Sequence, residues 1–333
     1  MKESVFVPLK EAIPRQYKSK YKRQYDQFRR FVAEPLIRFR RFSLNFRELP
    51  PLVNPIFMVG TAKGGTTLLA NCMGHHPNIC HPTYAHFELS PEWCKLADID
   101  IAALATHKQN CPPLRAEDVT DTIRQNVREG FARLMVEEGG SKNTRFFNKS
   151  PHLWNKLPFV HSIFPDAHLL VSSRDIVSSV ASLKETWAKQ HKLTGVKYYF
   201  PIDGKHCWSS IWPNSSAQIE PERTFPGGEV SVLAEYWLRV YTTIEENAPQ
   251  FDVVFPVHSR DFAENPGLVV SQVHKALNLP DVDYSLPTRL KPSKNQRWRE
   301  MLTQQEQESL KAFIEANYNQ ITSLKYADTT VAL

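Results

Sequence analysis

Pro55-Ile56-Phe57-Met58-Val59-Gly60-Thr61-Ala62-Lys63-Gly64-Gly65-Thr66-Thr67-Leu68-Leu69-Ala70-Asn71-Cys72-Met73 is the stretch from which the rest of the chain is read. Ile56 to Val59 is a short apolar run suited to a buried strand, and Leu68, Leu69, Cys72 and Met73 then fall at helical spacing. A glycine-rich turn joins the two. Gly60, Gly64 and Gly65 permit a sharp turn and a close backbone approach to a ligand, while the first amides of the following helix have no internal partner. Lys63 adds a mobile positive charge, and Thr66 and Thr67 add hydroxyls, so the turn suits a phosphate or sulfate group.

The spacing approaches that of the nucleotide-binding P-loop, G-x-x-x-x-G-K-[ST], with Gly60, Gly65 and Thr67 in register. The lysine is displaced: Thr66 stands at its position and Lys63 lies inside the loop.

Around this stretch the chain of 333 residues has room for one large α/β domain with insertions, and its 41% hydrophobic content supports a real core. No apolar run approaches the roughly 18 residues of a membrane span, and no charged-then-apolar leader pattern opens the sequence. Five scattered cysteines (72, 80, 94, 111 and 207) without C-x-x-C spacing suit reduced thiols, which predicts a cytoplasmic protein with no metal cluster. The formal charge of +6 is uneven: residues 1–50 carry 13 basic and 5 acidic side chains, a net +8, leaving −2 for the remainder. Residues 1–50 therefore read as a basic, partly helical arm, with Tyr17, Tyr21, Tyr25, Phe28 and Val32 on one helical stripe. The arm either packs over the core or touches a membrane surface or acidic partner. Few aromatics accompany basic residues elsewhere, which argues against nucleic acid.

Downstream, His75, His76, His81, His86 and Glu88 crowd the region just past the first helix, and all are possible proton acceptors. A helix is predicted over Val119 to Glu138, a strand at Phe146 to Asn148 ending in Lys149-Ser150-Pro151-His152, a helix over Leu157 to Ser162, and an apolar strand at His168 to Ser172 followed by Ser173-Arg174-Asp175. In open α/β sheets ligands bind beyond the carboxyl ends of the strands, so Lys149 and Arg174 are expected to border the same crevice as the glycine loop. Arg174 offers a planar fork and Ser182, eight residues on, a hydroxyl, which together suit a second phosphate; Arg174 paired with Asp175 is the structural alternative. Residues 190–229, rich in aromatics and prolines, read as a long loop walling an acceptor pocket. A helix over Leu233 to Asn247, a strand over Asp252 to Val257, a helix over Leu268 to Leu277, a basic loop through Arg297-Trp298-Arg299 and a last helix over Gln304 to Asn317 complete the alternation.

With these blocks in view, the chain from about Pro55 to Asn317 resembles the sulfotransferases that use 3′-phosphoadenosine 5′-phosphosulfate (PAPS), closer to the carbohydrate and bacterial type than to the cytosolic phenol type. Thr61 to Leu69 is similar to the family's 5′-phosphosulfate loop, with a small residue, often serine, usual where Gly64 stands. Phe164 to Asp175 followed by Ser182 is similar to its 3′-phosphate motif. Lys149-Ser150-Pro151 resembles the strand end that flanks the sulfuryl group, and Arg297-Trp298-Arg299 the basic loop that closes on the cofactor. The resemblance implies a single three-layer α/β domain over 51–325 with a central, mainly parallel sheet and the P-loop-like sulfotransferase fold. It implies that Lys63, Gly64, Gly65, Thr66, Thr67, Arg174, Ser182 and Arg297 bind PAPS. Catalysis would fall to Lys63 and Lys149 with Glu88 or His86 as base, ahead of His152, and no metal. The reaction implied is in-line transfer of the sulfuryl group to a hydroxyl or amine of a small-molecule, glycan, lipid or peptide acceptor. The competing readings are a P-loop kinase or NTPase, which needs the lysine that Thr66 replaces, and a catalytically degenerate nucleotide-binding scaffold.

Overall fold

The apolar run forms strand β1 (Ile56–Gly60), every residue of which is buried. It can be apolar throughout because helices cover both faces of the sheet it belongs to. The structure, a computed structural model, describes residues 39, 42–44, 48–81, 114–194, 201–202, 205–206, 229–282 and 297–330, apart from the side chains of 152, 187–194, 201–202 and 205–206. The predicted helix over Tyr17 to Val32, the candidate bases His86 and Glu88, and most of the predicted acceptor loop lie outside the described residues.

After β1 come β2 (Ile79–Cys80), β3 (Arg145–Lys149), β4 (His168–Ser173), a two-stranded antiparallel ribbon of β5 (Pro201–Ile202) and β6 (Lys205–His206), and β7 (Val253–His258). The main sheet has the order β2-β3-β1-β4-β7 and is parallel at every pairing. Its register sets Met58 beside Lys149, Gly60 beside Ser172, and Ser173 beside His258. From β1 the chain crosses to the edge at β2, returns to β3 beside β1, then crosses to β4 on the other side of β1 and on to the far edge at β7. The crevice beyond the carboxyl ends of β1, β3 and β4 is therefore a topological switch point.

Side chains alternate across the strands and so build two cores. Phe57, Val59, Phe146, Leu169 and Val171 meet helices α2 (Asp121–Glu137), α3 (Leu157–Ile163), α4 (Ile176–Thr194), α5 (Val230–Asn247) and a later helix, α9 (Gln304–Ala316). Ile56, Met58, Phe147, Leu170 and Val257 meet α1 (Thr66–Met73), α6 (Ser259–Glu264) and α7 (Pro266–Ala276). The short helices α8 (Trp298–Met301) and α10 (Tyr318–Thr322) add Trp298 and Ile321 to the first core. The result is the three-layer α/β arrangement, with the described sheet wholly parallel.

The expected elements stand within three residues of their predicted bounds, and the differences have local causes. The helix expected from Val119 begins at Asp121 because the Thr120 hydroxyl accepts from the Ile123 N–H at 3.1 Å and caps it there. Strand β2 escapes a sequence reading because two residues carry no period. The segment expected to be irregular from residue 190 opens in regular structure, with α4 running to Thr194 and β5 and β6 following.

Candidate active site

Strand β1 ends at Gly60, with φ of 142°. A Cβ there would lie 2.1 Å from the carbonyl oxygen of Ser172 on β4, so the chain leaves the sheet pressed against its neighbour. Lys63 adopts φ of 67°, a left-handed conformation that costs a non-glycine residue about 1 kcal/mol, and Gly65 follows at 88°. The Gly64 N–H closes the turn on the Thr61 carbonyl at 3.0 Å. Gly65 is the N-cap of α1 and brings no side chain to it. The N–H groups of Gly65, Thr66 and Thr67 have no hydrogen-bond partner among the described residues, and they form the amide cradle expected from the glycine pattern.

The loop is braced from behind by α5. The Tyr241 hydroxyl donates to the Ser172 carbonyl at 2.9 Å and accepts from Thr61 Oγ1 at 3.3 Å, while the Tyr236 hydroxyl accepts from the Ala62 N–H at 3.4 Å. Complete burial pushes both phenols well above their usual range, which keeps them protonated as struts. Local pattern could not have revealed them, because two tyrosines on a buried helix face read as core.

Four cations gather beyond the strand ends. Lys149 closes β3 and is 5% exposed. Burial, and then the charge of nearby Lys63, lower its pKa to about 8. Arg174 follows β4, and its pKa is lowered by burial and by Arg297, with Asp175 acting the other way. The Asp175 carboxylate accepts from the Ser178 N–H at 2.8 Å, so it caps α4. Burial raises its pKa against those Ser178 hydrogen bonds. The Arg174 backbone is held by Trp237, whose Nε1 donates to its carbonyl at 2.9 Å. Ser182 lies in the second turn of α4, half-buried, and shares a helix face with Glu185 three residues on. Glu185 meets Arg297 Nη2 at 3.8 Å, which draws Arg297 to the same side of α4. Lys149 and Arg174 thus stand at the ends of the strands on either side of β1.

The histidines past α1 separate by role. His75 Nδ1 donates to the Asn71 carbonyl at 2.6 Å, and His76 is 1% exposed, with Nε2 donating to the Pro280 carbonyl at 2.9 Å and Nδ1 accepting from Asn78. Both are structural. His81, directly after β2, donates from Nδ1 to the Phe147 carbonyl at 3.1 Å and packs on the Phe147 ring. Its pKa is lowered by burial and, in smaller part, by Lys149. His152 belongs to the short 3-10 turn Pro151–Asn155 after β3, and its side chain lies outside the described residues.

Serines 172 and 259 border the loop as well, and the sequence carries no signal for them because their contacts span more than a hundred residues. Each donates its hydroxyl to the Gly64 carbonyl at 2.7 Å. Beside them, Ser173 Oγ and His258 Nδ1 share a hydrogen bond of 2.7 Å at the ends of β4 and β7.

Residues 55–283 match the family described as "Sulfotransferase family". Among curated proteins the chain is similar to "Nodulation protein NoeE" of Sinorhizobium fredii (strain NBRC 101917 / NGR234), at 30% identity over 143 residues. That match covers 42% of this chain and 33% of the relative, so it spans a third of the relative's length. Among solved structures, the sulfotransferase from Alicyclobacillus acidocaldarius aligns at 18% identity with a TM-score of 0.46, covering 83% of this chain and 96% of that one. Sulfotransferase STF9 from Mycobacterium avium aligns at 14% identity with a TM-score of 0.41, covering 87% and 81%.

Proposed function

This chain belongs to the sulfotransferase family, and we propose that it transfers the sulfuryl group of PAPS to a hydroxyl or amine of a small-molecule, glycan, lipid or peptide acceptor. The observation that carries the donor assignment is the loop of bare amides at the carboxyl end of β1, with Lys63 inside it, Lys149 closing β3 beside β1 and Arg174 following β4 on the other side. PAPS bears an anion at each end of its ribose, and Gly65, at φ of 88° with a would-be Cβ 2.3 Å from Ser259 Oγ, keeps the loop backbone bare at that point. Lys63, Gly64, Gly65, Thr66 and Thr67 would hold the 5′ end, and Arg174, Ser182 and Arg297 the 3′-phosphate. When bound, PAPS supplies the activated sulfuryl group.

The chain's own residues then do three things. The loop amides and Lys63 stabilise charge that collects on the leaving 5′-phosphate, and they do so without reorganising, since the loop is already held by Tyr236 and Tyr241. Lys149 sets its positive charge beside the sulfuryl oxygens. Glu88 or His86, with His152 next in rank, takes the acceptor proton. No helix among the described residues is long and apolar enough to cross a membrane; a cytoplasmic enzyme acting without metal is part of the same proposal.

Calorimetric titration with adenosine 3′,5′-bisphosphate, alongside ATP with magnesium, tests this reading on wild type and Arg174→Ala. The expected result is magnesium-independent binding of the bisphosphate that weakens at least about tenfold in the variant, the loss of a charge-assisted contact. Preference for ATP with magnesium, or indifference to Arg174, would return the chain to the kinase or scaffold readings.

A pH dependence follows from Lys149. Its charged form is the one that binds an anion, and its pKa in the free protein is about 8. Affinity for PAPS is therefore expected to be level below that pH and to fall as pH rises through it, approaching about tenfold per unit. Titrations from pH 6.5 to 9.5 check this, and an affinity unchanged across that range would remove Lys149 from the site.

A further inference from the structure

We propose that Ser172 and Ser259 are positioning residues for the 5′-phosphate of the donor: together they hold the Gly64–Gly65 peptide in the orientation that turns its N–H toward the anion. This rests on the donor assignment above.

The Gly64 carbonyl receives two hydroxyl donors, Ser172 Oγ and Ser259 Oγ, each at 2.7 Å. Ser172 lies on β4 and is 2% exposed; Ser259 opens α6 just beyond β7. Both lone pairs of one carbonyl oxygen are thus occupied from two elements that meet only in the folded sheet. Because the peptide is planar and trans, pinning its oxygen on the β4–β7 side sends the Gly65 N–H the opposite way. That N–H has no partner among the described residues.

The need for a clamp comes from the residues themselves. A peptide between two glycines rotates at little steric cost, since neither residue has a Cβ to oppose it. Rotated by half a turn, the same peptide would present its carbonyl oxygen to the anion and repel it. The two serines select the attractive orientation before any ligand arrives, and donation to the oxygen polarises the peptide so that its N–H is the stronger donor. Neither hydroxyl makes another hydrogen bond among the described residues.

The test separates the 5′ end of the ligand from the rest. Adenosine 3′,5′-bisphosphate and adenosine 3′-monophosphate are titrated into wild type, Ser172→Ala/Ser259→Ala and Ser259→Thr. In the double variant the bisphosphate is expected to bind at least about tenfold more weakly, the worth of two neutral hydrogen bonds, while the monophosphate keeps its wild-type affinity and shows that the fold is intact. Ser259→Thr, which keeps the hydroxyl, is expected to bind both as wild type does. Equal weakening of both ligands in the double variant, or none for the bisphosphate, overturns the inference. Wild type that binds neither nucleotide, or does not prefer the bisphosphate, overturns the donor assignment itself and this inference with it.

Discussion

Lys149→Met is expected to lower the turnover of sulfuryl transfer by roughly a hundred- to a thousandfold, the cost of removing one electrostatic stabiliser of a transition state, while making the protein more stable at pH 7. Both effects arise from one placement. Lys149 is 5% exposed, at a strand end beside Lys63, and its pKa falls from 10.5 to about 8. The folded-state pKa lies below the unfolded one, so under pH 8 both states are protonated and the fold carries the whole cost of burying the charge. Between about 8 and 10.5 the unfolded chain binds more protons than the folded one, and stability rises with pH. The shift corresponds to about 3 kcal/mol, and methionine, of similar length and no charge, recovers a large part of it. Urea unfolding of wild type and variant at pH 7 and pH 10 measures this. The variant's advantage is expected at pH 7 and to shrink at pH 10, where the wild-type lysine is mostly neutral. An advantage that is absent, or independent of pH, would mean that Lys149 carries no buried charge.

Gly60→Ala is expected to destabilise the fold by about 4 kcal/mol, combining an unfavourable backbone conformation with overpacking. The added methyl would fall 2.1 Å from the Ser172 carbonyl oxygen, at φ of 142°. The obstacle is backbone in a paired strand rather than the tip of a flexible side chain, and the same carbonyl already accepts from Tyr241. Relief would require β1 and β4 to part at the point where the loop begins. Gly74→Ala supplies the contrast: its φ of −65° suits any residue and its nearest contacts are at 3.3 and 3.4 Å, so a change within about 1 kcal/mol is expected there. Thermal melts of the two variants decide the matter, and a Gly60→Ala protein that melts with wild type would show that the loop base is not fixed by β4.

Much of the placement of the candidate site residues was legible in the sequence. A glycine turn between an apolar run and a helical pattern is a local signal, as are Lys149 and Arg174 immediately after strands, and these predictions required only the rule that ligands bind at the carboxyl ends of parallel strands. Arg174 shows the limit of such reading. Asp175 beside it suggested an ion pair; its carboxylate caps α4 through the Ser178 N–H, and its charge still acts on Arg174. The second like charge near Arg174 is Arg297, from a loop far along the chain.

The sequence by itself determined the alternation of strands and helices, the glycine turn between β1 and α1 and the cations at the strand ends, because hydrophobic period, glycine and charge act over a few residues. Only the tertiary structure decided the sheet order that puts β1 between β3 and β4, the closeness of Lys63 to Lys149, and the bracing of the loop by Tyr236, Tyr241, Ser172 and Ser259. The two serine contacts join residues more than a hundred positions apart through single hydrogen bonds. Such a bond leaves no periodic trace in either partner's neighbourhood, and it exists only once the sheet has brought the two chain segments side by side.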